Sequence, residues 1–159
     1  DDEQGELLKQ KEYFDILACV RRVTEYVSRI ALKSGIRVTV NCSHDTVTMY
    51  GNHISFMRAL FNLLENSIRH MKRSGNVVIT VEENENDIMI IYRDDGEGMP
   101  EHEAAMLNGQ NGVVWENEKI GRGIGMYLIY QTVAEHGGKV QIKTAEGKGL
   151  GVYMSFPKA

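Results

Sequence analysis

The sequence predicts one α/β domain in which about three helices and five or six strands share a core. Apolar residues recur at helical spacing in three stretches, and shorter runs alternate between apolar and polar residues. The 159 residues, 42% hydrophobic and 25% charged, are enough for one buried core and lie outside the composition range of disordered chains. A single compact domain is therefore expected.

Charge and composition limit the partners of the chain. The net charge of −4 and the pI near 5.7 disfavour a nucleic-acid partner, although a small phosphate site is compatible with them. No apolar run reaches the roughly 20 residues of a membrane helix, and no charged-then-apolar leader opens the chain. Cys19 and Cys42 lie outside CxxC or Cys/His spacing, which predicts reduced, buried thiols and a cytoplasmic domain.

The first helix is predicted over residues 14–32, where apolar side chains recur at helical spacing before a stop at Ser34-Gly35. The polar segment ahead of it, residues 1–12, is interpreted as a connector from a missing upstream region. This leaves residues 13–159 as the folded domain.

Period-two alternation predicts three pairs of consecutive antiparallel strands. The predicted pairs are residues 36–40 with 47–50, 77–81 with 88–92, and 139–144 with 151–156. The glycine-rich segment 147–151 joins the last pair and precedes no helix, so it is interpreted as a hairpin turn.

A central helix over residues 56–71 has two faces of different character. One face is apolar and must be buried; it contains Phe56, Leu60, Phe61, Leu63, Leu64, Ile68 and Met71. On the other face Asn62 and Asn66 lie one turn apart, with Arg69 one turn further. Asn is a mediocre helix former, so two stacked Asn side chains suggest a binding site. The alternative is a solvated face with a Glu65–Arg69 ion pair, and this helix alone leaves both interpretations open.

Two glycine motifs follow the central helix. Residues 94–98 (Asp-Asp-Gly-Glu-Gly) form a predicted tight turn directly after a strand. Residues 121–125 (Gly-Arg-Gly-Ile-Gly) lie where a loop becomes the last helix, so backbone N–H groups and the positive end of the helix dipole suit a phosphate there. The spacing fits neither a Walker loop nor a Rossmann fingerprint. The irregular stretch between the motifs, about residues 99–120, is interpreted as a lid.

The order of these motifs resembles the GHKL ATPase and kinase superfamily over nearly the whole chain. The run Asn62-Leu63-Leu64-Glu65-Asn66-Ser67 is similar to the Asn box of sensor histidine kinases. The segment His136-Gly137-Gly138-Lys139, followed by a glycine hairpin and Phe156-Pro157, resembles their C-terminal ending. The resemblance implies a two-layer α/β sandwich of the Bergerat ATP-binding type, with a mixed, mostly antiparallel sheet and helices on one face.

The resemblance also implies roles for individual residues. Asn66 would ligate Mg²⁺, with Asn62 beside it contacting a metal-bound water or a phosphate, and Arg69 would face phosphate. Asp94 would accept the adenine amino group. Further contacts to the nucleotide would come from His70, Gly96, Gly98, Met99, Gly121, Arg122, Gly123, Ile124 and Gly125.

The implied function is binding of Mg·ATP and supply of its γ-phosphate to a histidine on a separate helical dimerisation domain, upstream in the same chain or in a partner chain. A response regulator would be an indirect partner. The full-length protein would be a homodimer, and this domain would be part of a cytoplasmic protein or of a membrane-anchored sensor. The chain contains no H-E-x-x-x-P acceptor motif.

Two departures from the family pattern and three alternative functions accompany this interpretation. Ser67 replaces the usual Ala, and no phenylalanine lies between Met99 and Ile120, where the family has a phenylalanine box. A hydrolytic ATPase of this superfamily would place a glutamate base where Asn62 stands, and Asn cannot take a proton. An anti-sigma-type serine kinase and a non-catalytic nucleotide-binding regulatory module remain as further alternatives.

Overall fold

The computed structural model describes residues 10–71, 74–98, 123–144 and 149–158, with the backbone alone for residues 123–125 and 127. The predicted lid lies outside the described residues. Within them the chain forms three helices and seven strands. The elements in order are β1 (Glu12–Asp15), α1 (Ile16–Lys33), β2 (Ile36–Cys42), β3 (Thr48–Gly51), α2 (His53–His70), β4 (Gly75–Glu83), β5 (Asp87–Asp94), α3 (Gly123–Glu135), β6 (Lys139–Thr144) and β7 (Leu150–Pro157).

Five strands form one mixed sheet in the order β2-β4-β5-β7-β6, and β1 pairs with β3 in a separate two-stranded sheet. Within the large sheet, β2 and β4 are parallel and the other neighbouring pairs are antiparallel. Alternate residues of β4, β5 and β7 are buried under the helices, among them Ile79, Ile90 and Val152. The predicted α/β sandwich, with a mostly antiparallel sheet and helices on one face, is confirmed.

Two of the three predicted strand pairs are confirmed, since β4 pairs with β5 and β6 pairs with β7, both antiparallel. The predicted hairpin between residues 36–40 and 47–50 is wrong. Strand β2 pairs with β4 in parallel, and β3 pairs with β1. Alternation shows which face of a strand is buried, but it does not show which strand supplies the hydrogen bonds. Here helix α2 makes the crossover connection that lets β2 and β4 run in parallel.

The first helix begins two residues later than the predicted start because Asp15 caps it. The Asp15 carboxylate accepts hydrogen bonds from the backbone N–H groups of Leu17 and Ala18 at 3.0 and 3.3 Å. The same oxygen accepts the Val47 N–H at 3.1 Å, which ties the start of α1 to the segment before β3. Asp15 therefore ends β1 and begins α1.

Helix α2 lies at the centre of the helical layer, since it packs against both α1 and α3. Its predicted apolar face is largely buried: Phe56, Leu60, Leu63, Leu64 and Met71 are in the core, and Phe61 and Ile68 are half-buried against it. Ser67, which was not part of that predicted face, is also buried.

The two thiols are free and half-buried. Burial, helped by the nearby Asp15 carboxylate, raises the pKa of Cys19 to about 11. Among the helices of the described residues, none combines the length and the apolar character needed to cross a membrane.

Candidate functional site

Asp94 is the best-defined polar group of the candidate site. It is the last residue of β5, and it lies on the same face of that strand as Ile88, Ile90 and Tyr92, so its side chain is directed under the helices and is only 6% exposed. Its Oδ1 accepts the N–H groups of Gly96 at 3.1 Å and Leu150 at 3.2 Å. Its Oδ2 accepts the Ser67 hydroxyl at 2.6 Å. A buried carboxylate requires such partners, and here they come from three different segments.

The glycines around Asp94 have specific steric roles. A Cβ on Gly96 would lie 2.9 Å from Met71 Cγ and 3.3 Å from Asp94 Oδ1. Gly149, with φ of 81°, has the left-handed conformation that glycine favours, and a Cβ there would overlap the Asp94 carbonyl oxygen. Of the predicted turn 147–151, residues 147 and 148 lie outside the described residues, Gly149 lies directly before β7, and Leu150 and Gly151 belong to that strand. No local pattern in the sequence predicts that Gly149 and Leu150 also contact Asp94.

Asn62 and Asn66 are both half-buried on α2, at positions i and i+4 of one helix face. The Asn62 Nδ2 donates to the Arg58 carbonyl oxygen at 2.8 Å. Two amide oxygens along one helix face are hard ligands of the kind that Mg²⁺ prefers.

Arg69 forms an ion pair with Glu65, with Nη2 and Oε1 2.7 Å apart. Both side chains are largely exposed, at 64% and 47%. The ion pair that was the alternative interpretation of this face is therefore present. To contact a phosphate, the Arg69 guanidinium would have to bind it alongside the Glu65 carboxylate or break the ion pair with Glu65.

Of the other residues predicted to contact the nucleotide, some are described by the structure and some are not. His70 is half-buried at the end of α2, and Gly98, with φ of 73°, follows the Asp94 turn. Helix α3 begins at Gly123, so the predicted phosphate loop does lead into a helix. Met99, Gly121 and Arg122 lie outside the described residues, as do the side-chain environments of positions 123–125.

His136 connects the end of α3 to the start of α2. Its Nε2 accepts the backbone N–H of Asn52, the N-cap of α2, at 2.9 Å, and its Nδ1 lies 2.6 Å from the Thr132 carbonyl oxygen. Nδ1 is therefore the protonated nitrogen. A Cβ on Gly51 would overlap the imidazole ring, so glycine is needed there for this close approach. The contact fixes the helix that leads from the glycine loop against the helix that carries both Asn residues.

The described residues contain no group of three or more His, Cys, Asp or Glu side chains able to hold a metal ion by themselves. A cation at this site would be coordinated by amide oxygens, by water and by oxygen atoms of a nucleotide bound with it. Such a donor set fits Mg²⁺ bound together with a nucleotide and does not fit a protein-caged structural metal.

The fold and the site together define an α/β sandwich with a buried carboxylate at one side of a central helix and two amides along it. The chain belongs to the family described as "Histidine kinase-, DNA gyrase B-, and HSP90-like ATPase", which matches residues 51–159 and thus more than half of the chain.

Curated relatives include sporulation kinase A of Bacillus subtilis, 25% identical over 93% of this chain and 24% of that protein. The sensor protein SrrB of Staphylococcus aureus is 28% identical over 99% of this chain and 27% of its own length. The chain thus spans about a quarter of the length of these relatives.

Solved structures show the same fold. The catalytic domain of histidine kinase ThkA matches with a TM-score of 0.80 and 19% identity, covering 94% of this chain and 98% of that one. The mycobacterial sensor histidine kinase MprB matches with a TM-score of 0.75 and 22% identity, covering 93% and 97%.

Proposed function

We propose that this domain binds Mg·ATP and supplies the γ-phosphate for phosphorylation of a histidine on a separate dimerisation domain in two-component signalling. The observation that carries the proposal is the buried Asp94 carboxylate, held by three donors at the end of β5 and linked directly to the helix that bears Asn62 and Asn66. Membership of the ATPase family and the names of the kinase relatives support the same assignment.

Asp94 is proposed to bind the base. A carboxylate accepts hydrogen bonds and donates none, so it favours the 6-amino group of adenine over the 6-carbonyl of guanine. Gly96 and Gly98 keep the turn beside it free of side-chain bulk.

Asn66 and Asn62 are proposed to hold the cation and the phosphates. Their amide oxygens suit Mg²⁺, which keeps several waters and takes phosphate oxygens as its other ligands. The ion would neutralise charge on the triphosphate. The N–H groups at the start of α3 would bind the same phosphates, and Arg69 would add a positive charge after exchanging its Glu65 partner for phosphate.

Transfer of a phosphoryl group depends mainly on positioning and charge neutralisation, so a site of amides, backbone N–H groups and a cation is sufficient. A hydrolytic reaction needs a base that orients water, and an amide such as Asn62 cannot serve as one. The accepting histidine is proposed to lie outside this chain, in the same or a partner subunit of a cytoplasmic homodimer. A response regulator is proposed as the subsequent partner, since one solved structure of ThkA is a complex with a response regulator.

Calorimetry with AMP, ADP and a non-hydrolysable ATP analogue tests the site. Asp94→Asn should weaken all three about tenfold or more, because each shares the base. The control is Asp95→Asn, which changes the adjacent carboxylate, bound to the Asn76 N–H at 2.8 Å on the exposed side of the turn. It should bind as wild type does. Asn66→Ala should weaken the ATP analogue in Mg²⁺ and leave its affinity in EDTA unchanged.

Labelled ATP tests the reaction. Incubation with the dimerisation domain of the same full-length protein should give acid-labile label on that domain and none on this chain. Label retained on this chain alone would contradict the proposed acceptor, and steady release of inorganic phosphate would favour a hydrolytic ATPase.

A further inference from the structure

Two buried hydroxyl groups, those of Ser67 and Tyr92, are linked to the Asp94 carboxylate by hydrogen bonds. Ser67 Oγ lies 2.6 Å from Asp94 Oδ2, and Tyr92 Oη lies 2.5 Å from Ser67 Oγ. Ser67 and Tyr92 are both 0% exposed. The three polar groups therefore form a continuous hydrogen-bonded chain inside the core, between α2 and β5.

The hydrogen bonds of Tyr92, Ser67 and Asp94 run in one direction, because each hydroxyl group has a single proton to donate. Ser67 has one hydroxyl proton, which it donates to the carboxylate. In its contact with Tyr92, Ser67 must then accept, and the phenol donates. The phenol has one proton too, and the Leu63 carbonyl oxygen can only accept it, at the longer distance of 3.3 Å, so the nearer Ser67 Oγ is the main acceptor of the Tyr92 proton. Hydroxyl groups aligned in one direction polarise each other, so Tyr92 strengthens the bond from Ser67 to Asp94.

The Ser67 bond completes the orientation of the carboxylate. Its Oδ1 is bound by backbone N–H groups of the turn after β5 and of β7. Its Oδ2 is bound from a helix. Rotation about the Cβ–Cγ bond would break contacts to at least two elements at once. Since Ser67 directly follows Asn66, the same turn of α2 also fixes the carboxylate relative to the proposed metal ligand.

We propose that Ser67 is a positioning residue for base selection: its hydroxyl, oriented by Tyr92, holds Asp94 so that it accepts the 6-amino group of a purine. This inference rests on the proposed function, in which Asp94 binds adenine. Ser67 acts through Asp94 and has no assigned contact with the nucleotide.

The test compares ADP with purine riboside 5′-diphosphate, which lacks the 6-amino group, by calorimetry on the whole 159-residue chain. Ser67→Ala should weaken ADP about tenfold and leave the affinity for the analogue within about twofold, because only the amino group uses the positioned carboxylate. Tyr92→Phe should act in the same direction by about threefold, since it removes the polarising donor and keeps the ring.

Ser55→Ala is the matched control, because Ser55 lies on the same helix and its hydroxyl bonds the Asn52 carbonyl oxygen, away from Asp94. It should leave the ratio of the two affinities unchanged. A general loss of packing would weaken both ligands equally, so the ratio separates positioning from stability. If Ser67→Ala does not fold, Ser67→Cys, of similar shape but a weaker donor, should lower the ratio to an intermediate value.

An unchanged ratio in folded Ser67→Ala, with Asp94→Asn still weakening ADP, would overturn the role of Ser67 and leave the proposed function intact. Failure of the wild type to bind ADP, or equal binding by wild type and Asp94→Asn, would instead overturn the proposed function and this inference with it.

Discussion

The two sides of helix α2 differ in how far the proposed site is formed before any ligand binds. On the base side, Asp94 is 6% exposed, and its oxygens accept hydrogen bonds from Ser67, Gly96 and Leu150, each of 3.2 Å or less. On the phosphate side, Asn62 and Asn66 are half-buried, and the Arg69 side chain is 64% exposed beside Glu65. The base side is preorganised, whereas the phosphate side has side chains that can still rearrange.

The difference has a physical cause. A carboxylate can be buried only when its hydrogen-bond partners are already in place, so the base side must be built during folding. A metal–nucleotide complex carries its own charges, water and oxygen ligands. The phosphate side therefore needs only suitable amides and a helix start. Base selection should accordingly respond to small changes in packing, and phosphate binding should respond to charge.

The largest effect is expected from a change in the backbone beside Asp94. Gly149→Ala should lower the free energy of unfolding by about 3 kcal/mol, because it combines a left-handed φ of 81° with overlap between Cβ and the Asp94 carbonyl oxygen. Urea unfolding followed by circular dichroism measures the loss.

Gly137→Ala is the control for that prediction. Gly137 also has a left-handed φ, 70°, but among the described residues a Cβ there would meet only Pro157 Cγ at 3.8 Å, an ordinary contact. Gly137→Ala should lower the free energy of unfolding by about 1 kcal/mol, the effect of the left-handed conformation alone. Equal losses at the two positions would show that the backbone beside Asp94 can move, and the base side would then be less rigid than the structure indicates.

An intermediate effect is expected at His136, whose imidazole binds the N-cap residue of α2. His136→Ala removes the acceptor of the Asn52 N–H, the contact to Thr132 and an edge-to-face packing on Phe156. The free energy of unfolding should fall by about 2 to 3 kcal/mol. His53→Ala is the comparison, since His53 is 41% exposed, faces the exposed Glu12 carboxylate and has one tilted ring contact, to Phe14. It should change stability by about 0.5 kcal/mol, well below the loss at His136. A loss at His136 as small as that at His53 would contradict its anchoring role.

The smallest effect on stability is expected from the exposed ion pair. Arg69→Ala and Glu65→Ala should each change the free energy of unfolding by less than about 0.5 kcal/mol. Their effects on ligands should differ: Arg69→Ala should weaken ATP and not AMP, whereas Glu65→Ala should weaken neither because it releases Arg69 for phosphate. Calorimetry at low and high salt measures both. Equal ATP affinity for wild type and Arg69→Ala would remove Arg69 from the proposed phosphate site.

Much of this architecture can be predicted from local patterns. Helical spacing located α2 and most of its buried face, and alternation located β4, β5, β6 and β7 with their pairing. Those predictions succeed because consecutive strands joined by short turns pair with each other, and because a helix buries whichever face is apolar. The pairing of β2 with β4 and of β1 with β3 joins segments distant in sequence, and a period-two pattern carries no information about a distant partner.

The order of the Asn helix, the Asp-x-Gly-x-Gly turn and the glycine loop that opens a helix can be predicted from the chain alone, because each motif is a short-range arrangement of backbone and side chains. The contacts that hold the Asp94 carboxylate, in contrast, arise from the packing of distant segments. Its donors at Ser67 and Leu150 are 27 and 56 residues away along the chain. Serine at a helix position and leucine at a strand start have no local signal for such a contact. They reach Asp94 because packing of α2 and β7 against β5 buries a carboxylate that must then be hydrogen-bonded.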